Sequence, residues 1–589
     1  MLWYNPNFVW PPEELWVVMS FATEIATWSR HNGSMPDPHA TPPLWRQCYA
    51  WSKEEDHAHD IFETKAHWIA FHNKLTLWKD YDITTDAVGN MYFTVFWKKQ
   101  LLNTETKENE EVNSNEKWII LWSHLDSTPN GGIYDGVIGV GAGLEVVDNL
   151  LKKWKPKKSI TVVAWRGEES SPNNGVGCLG SQIATGQISM EKIEKIVYQK
   201  DTDGKDISFL EHLAGKNGIT PEAMRGKIQE MLEQGNAFSE EYGLNLEIHI
   251  EQSGVIEAQG KDLGIVTGGI GWARREKWSK DITAHEEIFP TSAYRFERIK
   301  ISGKRGHTGG TPPNPVKNKT QLTEWQSWYR QDALVGLSAL IDTLPDGVIV
   351  REIGYGSPLG FTSIPDDTFV DIAFPREVHH AFFDTLEKDY GLEANAEKID
   401  INLIENPSFI GYEVSKIRAD LAMPLRISHV ATDRMQSEID ANPDNQVWVS
   451  RVTVVDFALK EGKISWNLDY RHIGEASTFD TLIQAVREAV NSTIEPVLVS
   501  HGLSTKVSDE VAQLLKTKAN NLGFSYVLMP SSPGHDAAYV GKTGVPTGMI
   551  FIRHDGTSHH PAEHMDVAQL HKPLKLLEEV VWDYAYGTA

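Results

Sequence analysis

Cysteine is nearly absent: Cys48 and Cys178 are the only two among 589 residues. Two thiols cannot build a disulfide framework. Neither stands in a Cys-x-x-Cys or Cys-x-x-His spacing, which argues against thiolate zinc sites and dithiol redox work and fits a reducing compartment. Basic residues are in deficit, with 56 Lys and Arg against 81 Asp and Glu and a formal charge of −25. That balance repels nucleic acid and anionic membranes. Long apolar runs are missing as well, and no stretch reaches membrane-spanning length. The opening "MLWYNPNFVWPPEELWVVM" has no basic n-region, carries two glutamates and is broken by Pro11 and Pro12. It reads as neither signal peptide nor anchor, which predicts a cytoplasmic location.

What is present suits a globular protein with a large core: 40% of residues are hydrophobic and 23% charged. Length alone would allow about four domains, but the patterning argues for two. "KWIILWSHLD" and "SITVVAWRGEE" are β-branched-rich runs that end in polar residues, and "VIGVGAGLEVVDNLLKKW" between them has helical spacing. Strand, helix, strand with buried strands predicts an α/β fold on a parallel sheet, whose ligands gather at the carboxyl ends of strands. From "YRFERIKISGKRGHTGG" to about Val490 the strands alternate polar and apolar, as in "FERIKIS" and "KISWNLDY", which predicts a sheet with one solvated face. The helical "STFDTLIQAVREAVNSTIEPV" and "DEVAQLLKTKANNLGF" and the buried strand in "VPTGMIFIRHD" follow. The expectation is a first domain over 1–285, completed by 490–589, with an enlarged second domain over 286–489 inserted into it. The charged "TETKENEEVNSNEK" reads as a solvated loop.

The residues that could carry chemistry lie at the ends of the runs. His124 and Asp126 are two apart on a strand and so share a face, where one can bind a metal while the other orients it. Asp135 opens the glycine-rich helix and faces the same crevice. Glu168 and Glu169 close the next strand; two adjacent carboxylates repel unless a cation lies between them or one holds a proton, which suits a metal ligand beside a general base. His249 and Glu251 share a strand face with Gln252 just beyond, and His559 follows the last apolar strand. Singly, each is ordinarily structural. Together His124, Asp135, Glu169, His249 and His559 offer imidazole and carboxylate without thiolate, a set suited to Zn, Mn, Co or Ni, two of which can share a carboxylate.

The order and spacing of "DAVGN", "SHLDSTPNGGIYDGVIGVGAGLEV", "EES" with "GCLGS", "DTDGKDISFLEHL", "LEIHIEQSGVIEAQGKDLGIVTGGIG", "GKRGHTGGTPPN", "LDYRH", "PSSPGHDAAYV" and "VPTGMIFIRHDGTSHHPAEH" resemble the N-carbamoyl-L-amino-acid amidohydrolase and allantoate amidohydrolase group. These are relatives of the aminoacylase and carboxypeptidase type di-metal hydrolases. The resemblance implies a di-zinc-peptidase-like catalytic domain, with a mixed, mostly parallel sheet flanked by helices, and an inserted α+β lid that also makes a homodimer. It implies His124 and His249 as ligands of one ion, Glu169 and His559 of the other, Asp135 as the bridge and Asp126 as the orienter of His124. Glu168 becomes the general base for a metal-bridging water. His307, often from the partner subunit in this group, would complete the oxyanion site, and Gln252 and Arg471 would hold substrate. His535 and Asp536 resemble an orienting pair.

Departures from the group bear on substrate. "EESSPNNG" lacks the usual Gly and Arg of Glu-Glu-Gly-Ser-Arg-Phe, "VDFALKEGKISWNLDYR" has no Asn of the usual Asn-Val-Val-Pro-Gly, and His307 is followed by "TGGTPPNPVKNKT". Trp272, Trp278, Trp325 and Trp328 could line an apolar pocket, although core or interface places are the commoner use of such residues. The expected activity is hydrolysis of a linear C–N bond in a small carboxylate-bearing substrate, an N-carbamoyl amino acid or related ureido acid. The alternatives are an aminoacylase or dipeptidase with the same metal site, and a catalytically silent relative that binds a small molecule.

Overall fold

The apolar run "WIILW" is apolar at every position because both of its faces are covered. In the computed structural model, Trp118–His124 is a central strand of a nine-stranded mixed sheet. Ile119 and Leu121 face one core layer, and Ile120 and Trp122 face another. The first layer is closed by the helices Lys53–His72, Val137–Lys153, Asp509–Asn521 and His571–Tyr586, the second in part by Asp536–Lys542. Strands buried on both faces lose the period-two alternation, as in other helix-covered sheets.

The structure describes residues 48–96, 117–128, 131–153, 157–170, 176–200, 205–235, 238–282, 287–290, 293–303, 332–355, 367–376, 393–398, 408–430, 451–472, 476–490, 495–501, 504–554, 558–560 and 563–586, with Thr202 and most of 17–25. His307, Trp325, Trp328, the motif "GKRGHTGGTPPN" after its first glycine, and the charged loop before Lys117 lie outside the described residues.

Four neighbouring strands set the position of the site. Ile160–Trp165, Trp118–His124, Tyr242–Ile250 and Thr547–Ile552 lie side by side in that order, each parallel to the next. Their carboxyl ends therefore fall on one edge. Antiparallel strands complete the sheet: Met91–Val95 pairs Ile160–Trp165, and Leu263–Ile270 pairs Thr547–Ile552.

A second sheet of ten strands, antiparallel in every pairing, contains Trp272–Asp281, Tyr294–Ser302, Ile349–Gly354, Asp367–Pro375, Arg451–Lys460, Lys463–His472 and Val497–His501. The helices Ala333–Thr343, Val414–Leu421 and Ala476–Val490 share its core. Trp278 belongs to that core, buried and stacked on Trp466 with ring centroids 5.7 Å apart. Among the described residues, no helix is long and apolar enough to cross a membrane.

Candidate metal centre

Each of the four parallel strands delivers a polar group to the shared edge. His124 is the last residue of its strand, His249 the penultimate residue of its own, Glu168 and Glu169 follow Ile160–Trp165, and His559 follows Thr547–Ile552. Asp135 enters from the other side, two residues before the Val137–Lys153 helix. The glycines of the 131–143 stretch make that approach possible. A Cβ on Gly136 would lie 2.5 Å from the His124 ring, and Gly136 has a φ of +70° that side chains disfavour. A Cβ on Gly139 would lie 2.4 Å from the carbonyl oxygen of Ile248, so the helix packs directly on the His249 strand.

The two oxygens of Asp135 face different partners. Oδ1 lies 3.1 Å from His249 Nε2 and 3.8 Å from His124 Nε2. Oδ2 lies 3.2 Å from His559 Nε2, which is itself 3.2 Å from Glu169 Oε1. Gln252 Nε2 and Ser558 Oγ also donate to Oδ2, at 2.7 and 3.0 Å. Two donor groups thus meet at Asp135: His124 with His249, and Glu169 with His559, all buried and each group with ligand atoms within 4.8 Å of one another.

Asp126 ties two strand ends together. Its Oδ1 lies 3.3 Å from His124 Nδ1, while its two carboxylate oxygens accept the backbone N–H groups of Glu168 and Glu169 at 3.2 and 3.0 Å. Those bonds, with the left-handed Gly167, turn both glutamates inward past the strand end: Glu168 Oε2 comes within 3.8 Å of His124 Nε2, and Glu169 reaches His559. Two motifs outside the donor set brace this loop. Asn90 of "DAVGN" accepts from Arg166 N and donates to Gly180 O, and Cys178, Leu179 and Gly180 of "GCLGS" donate to the carbonyls of Glu168, Gly167 and Arg166.

Electrostatics follow from burial. It disfavours the charged ring of His124, but Glu168, Asp126 and Asp135 outweigh it and hold the imidazole well above its ordinary pKa. Burial likewise opposes charge on His559, yet Glu169 and Asp135 raise it to about 10. Burial would raise Asp135, but His249 and His559 hold it well below the carboxylate range. Glu168 is pushed well up by burial, and Glu169, Asp536 and Asp126 add to that against His124. Asp126, Asp135, Glu168 and Glu169 set four carboxylates against the imidazoles of His124, His249 and His559. That surplus of negative charge, with imidazole nitrogens and carboxylate oxygens and no thiolate, fits divalent cations.

Other expected residues take different places. The His249 strand stops at Ile250, so Glu251 turns away and accepts the N–H groups of Val255 and Ile256 instead of joining the donors. Gln252 sits on Asp135. Arg471 is buried with its guanidinium on Asp469, at 2.9 to 3.1 Å. His535 lies behind the site, its ring 4.5 Å from that of His249 and Nδ1 3.9 Å from Glu168 Oε1; burial, with His249 nearby, holds it well below its ordinary pKa. Glu247, His249 and His535 form a third donor group. Residue reading missed Ser558 and the contact between Arg275, on the first strand of the second sheet, and Ser170, next to Glu169. Both are side chains met only across the fold, with no signal in local spacing.

The profile of peptidase family M20/M25/M40 matches residues 115–583. A ureidoglycolate hydrolase of Arabidopsis thaliana is 29% identical over 358 residues, which cover 59% of this chain and 64% of that protein. An N-carbamoyl-L-amino acid amidohydrolase of Geobacillus stearothermophilus is 23% identical over 489 residues, 81% and 84% of the two chains. Among solved structures, that of AtUAH in complex with glyoxylate has the same fold, with a TM-score of 0.56 and 19% identity over 98% of both chains. The chain belongs to peptidase family M20/M25/M40, and its relatives there are named hydrolases and amidohydrolases that act on C–N bonds.

Proposed function

We propose that this protein hydrolyses a linear amide or ureido C–N bond in a small carboxylate-bearing substrate, an N-carbamoyl amino acid or a related ureido acid, with two divalent ions, Zn or Mn. The observation that carries the reading is the division of Asp135 between two donor groups beside Glu168. In this reading His124 and His249 would hold one ion, Glu169 and His559 the other, and Asp135 would serve both. Bound ions supply Lewis-acid polarisation of the scissile carbonyl and a more acidic water.

The chain's own residues do the rest. Glu168 takes a proton from the attacking water and passes it to the leaving nitrogen, and burial strengthens its carboxylate as a proton acceptor. Asp126 holds His124 by its Nδ1 side and fixes the Glu168 and Glu169 backbone. Gln252 steadies Asp135. Arg471, the proposed carboxylate partner, is held through Nε and Nη2 on Asp469. His307 completes the oxyanion site in this reading, from the same chain or from a homodimer partner through the inserted domain; sedimentation at the mass of a single chain would remove the dimer from the proposal. The names of the Arabidopsis and Geobacillus relatives support a ureido substrate.

The test is ammonia release from N-carbamoyl amino acids, allantoate, N-acetyl and N-formyl amino acids and dipeptides, after reconstitution with Mn or Zn. Ammonia from a carbamoyl substrate, reduced about 10²- to 10⁴-fold in Glu168→Gln, supports the proposal. Amino acid released from acyl substrates without ammonia moves the protein to the aminoacylase reading.

A further inference from the structure

We infer that Glu563 is a positioning residue for Asp135 that works through the backbone. The inference rests on the proposed reading of Asp135 as the shared ligand. Glu563 is buried four residues after His559, and its Oε1 accepts two consecutive backbone N–H groups, from Tyr134 at 2.8 Å and Asp135 at 3.2 Å. Among the described residues, it belongs to none of the three donor groups.

A second observation points to the same contact from the other side. A Cβ on Gly132 would lie 2.2 Å from both Cβ and Cδ of Glu563, so the glycine leaves the space that the glutamate fills. Ser558, from the same loop, holds the Asp135 side chain while Glu563 holds its peptide. His559 between them faces the same carboxylate. One loop therefore carries a proposed ligand and also sets the angle at which the bridging carboxylate meets it. A peptide fixed by two bonds to one oxygen cannot tilt freely; without them Asp135 would meet the ions in a spread of orientations. Loss of such outer partners typically costs 10- to 100-fold in metal affinity.

Zinc affinity of the metal-free full chain, measured by chelator competition, tests this, with circular dichroism and melting of the apo protein alongside. Glu563→Ala is expected to weaken zinc binding about 10- to 100-fold while the apo protein keeps its fold and a cooperative melt, lowered by the two N–H groups that lose their acceptor. Glu563→Gln keeps an oxygen that accepts both N–H groups and stays close to wild type. Gly132→Ala, whose Cβ would meet Glu563 at 2.2 Å, displaces the glutamate and reproduces the loss. Wild-type affinity in Glu563→Ala overturns the inference, as does an unfolded apo Glu563→Ala, which would make the residue merely structural. Asp135→Ala separates the two claims: wild-type zinc affinity there sinks the ligand reading itself, whereas zinc lost in Asp135→Ala but kept in Glu563→Ala sinks only the role of Glu563.

Discussion

The residues nearest Asp135 occupy backbone conformations that a sequence does not advertise. Gln252 and His559, which both touch Asp135, have φ of +64°, a region that costs a non-glycine residue on the order of 1–3 kcal/mol. Their clustering around one carboxylate is consistent with strain held for a purpose. Gly136 is the opposite case, a left-handed position that the sequence does mark. Gly136→Ala adds a Cβ against the His124 ring and strains the backbone, and is expected to destabilise the fold by at least ~1 kcal/mol and to weaken zinc binding. Chemical denaturation with zinc titration checks both, and a variant unchanged in each would show that the close approach is immaterial. At this scale spacing reveals His124 with Asp126 and the Glu168, Glu169 pair. It does not reveal Ser558 or Glu563, because their partners are set by the packing of a loop and not by any period.

Among elements, the four parallel strands do most to build the site, and they are also the most legible part of the sequence. Their apolar runs and the intervening helical spacing are visible because burial on both faces demands them. The turn that brings both glutamates inward is not legible in local spacing, since it depends on Asp126 from the neighbouring strand. The Val137–Lys153 helix carries a second buried carboxyl. Glu145 Oε2 accepts from Val17 and Val18 N at 2.7 and 3.1 Å, and burial raises its pKa from 4.5 to about 7 despite those bonds. A raised carboxyl favours the folded state while protonated, so its contribution is complete below pH 4.5 and is lost as pH rises through about 7. Glu145→Gln stays neutral throughout. It should match wild type at low pH and exceed it above pH 7 by up to about 3 kcal/mol, measured by denaturant unfolding across that range. A constant difference between the two proteins at all pH values would contradict this.

Across the whole molecule, net charge and cysteine content narrowed the classes of partner, and the order of motifs narrowed the family. The second sheet was legible as an alternating, one-sided sheet. Its strands include Trp272–Asp281 and Val497–His501, on either side of the 286–489 stretch. The contact of that sheet with the glutamate loop was less legible, because Arg275 meets Ser170, next to Glu169, across 105 residues of sequence. The central claim is that two ions share Asp135. Metal content per chain, after reconstitution with zinc and removal of loosely bound ions, tests it most directly. The account predicts two ions in wild type and none in Asp135→Ala; two ions retained in Asp135→Ala would contradict it.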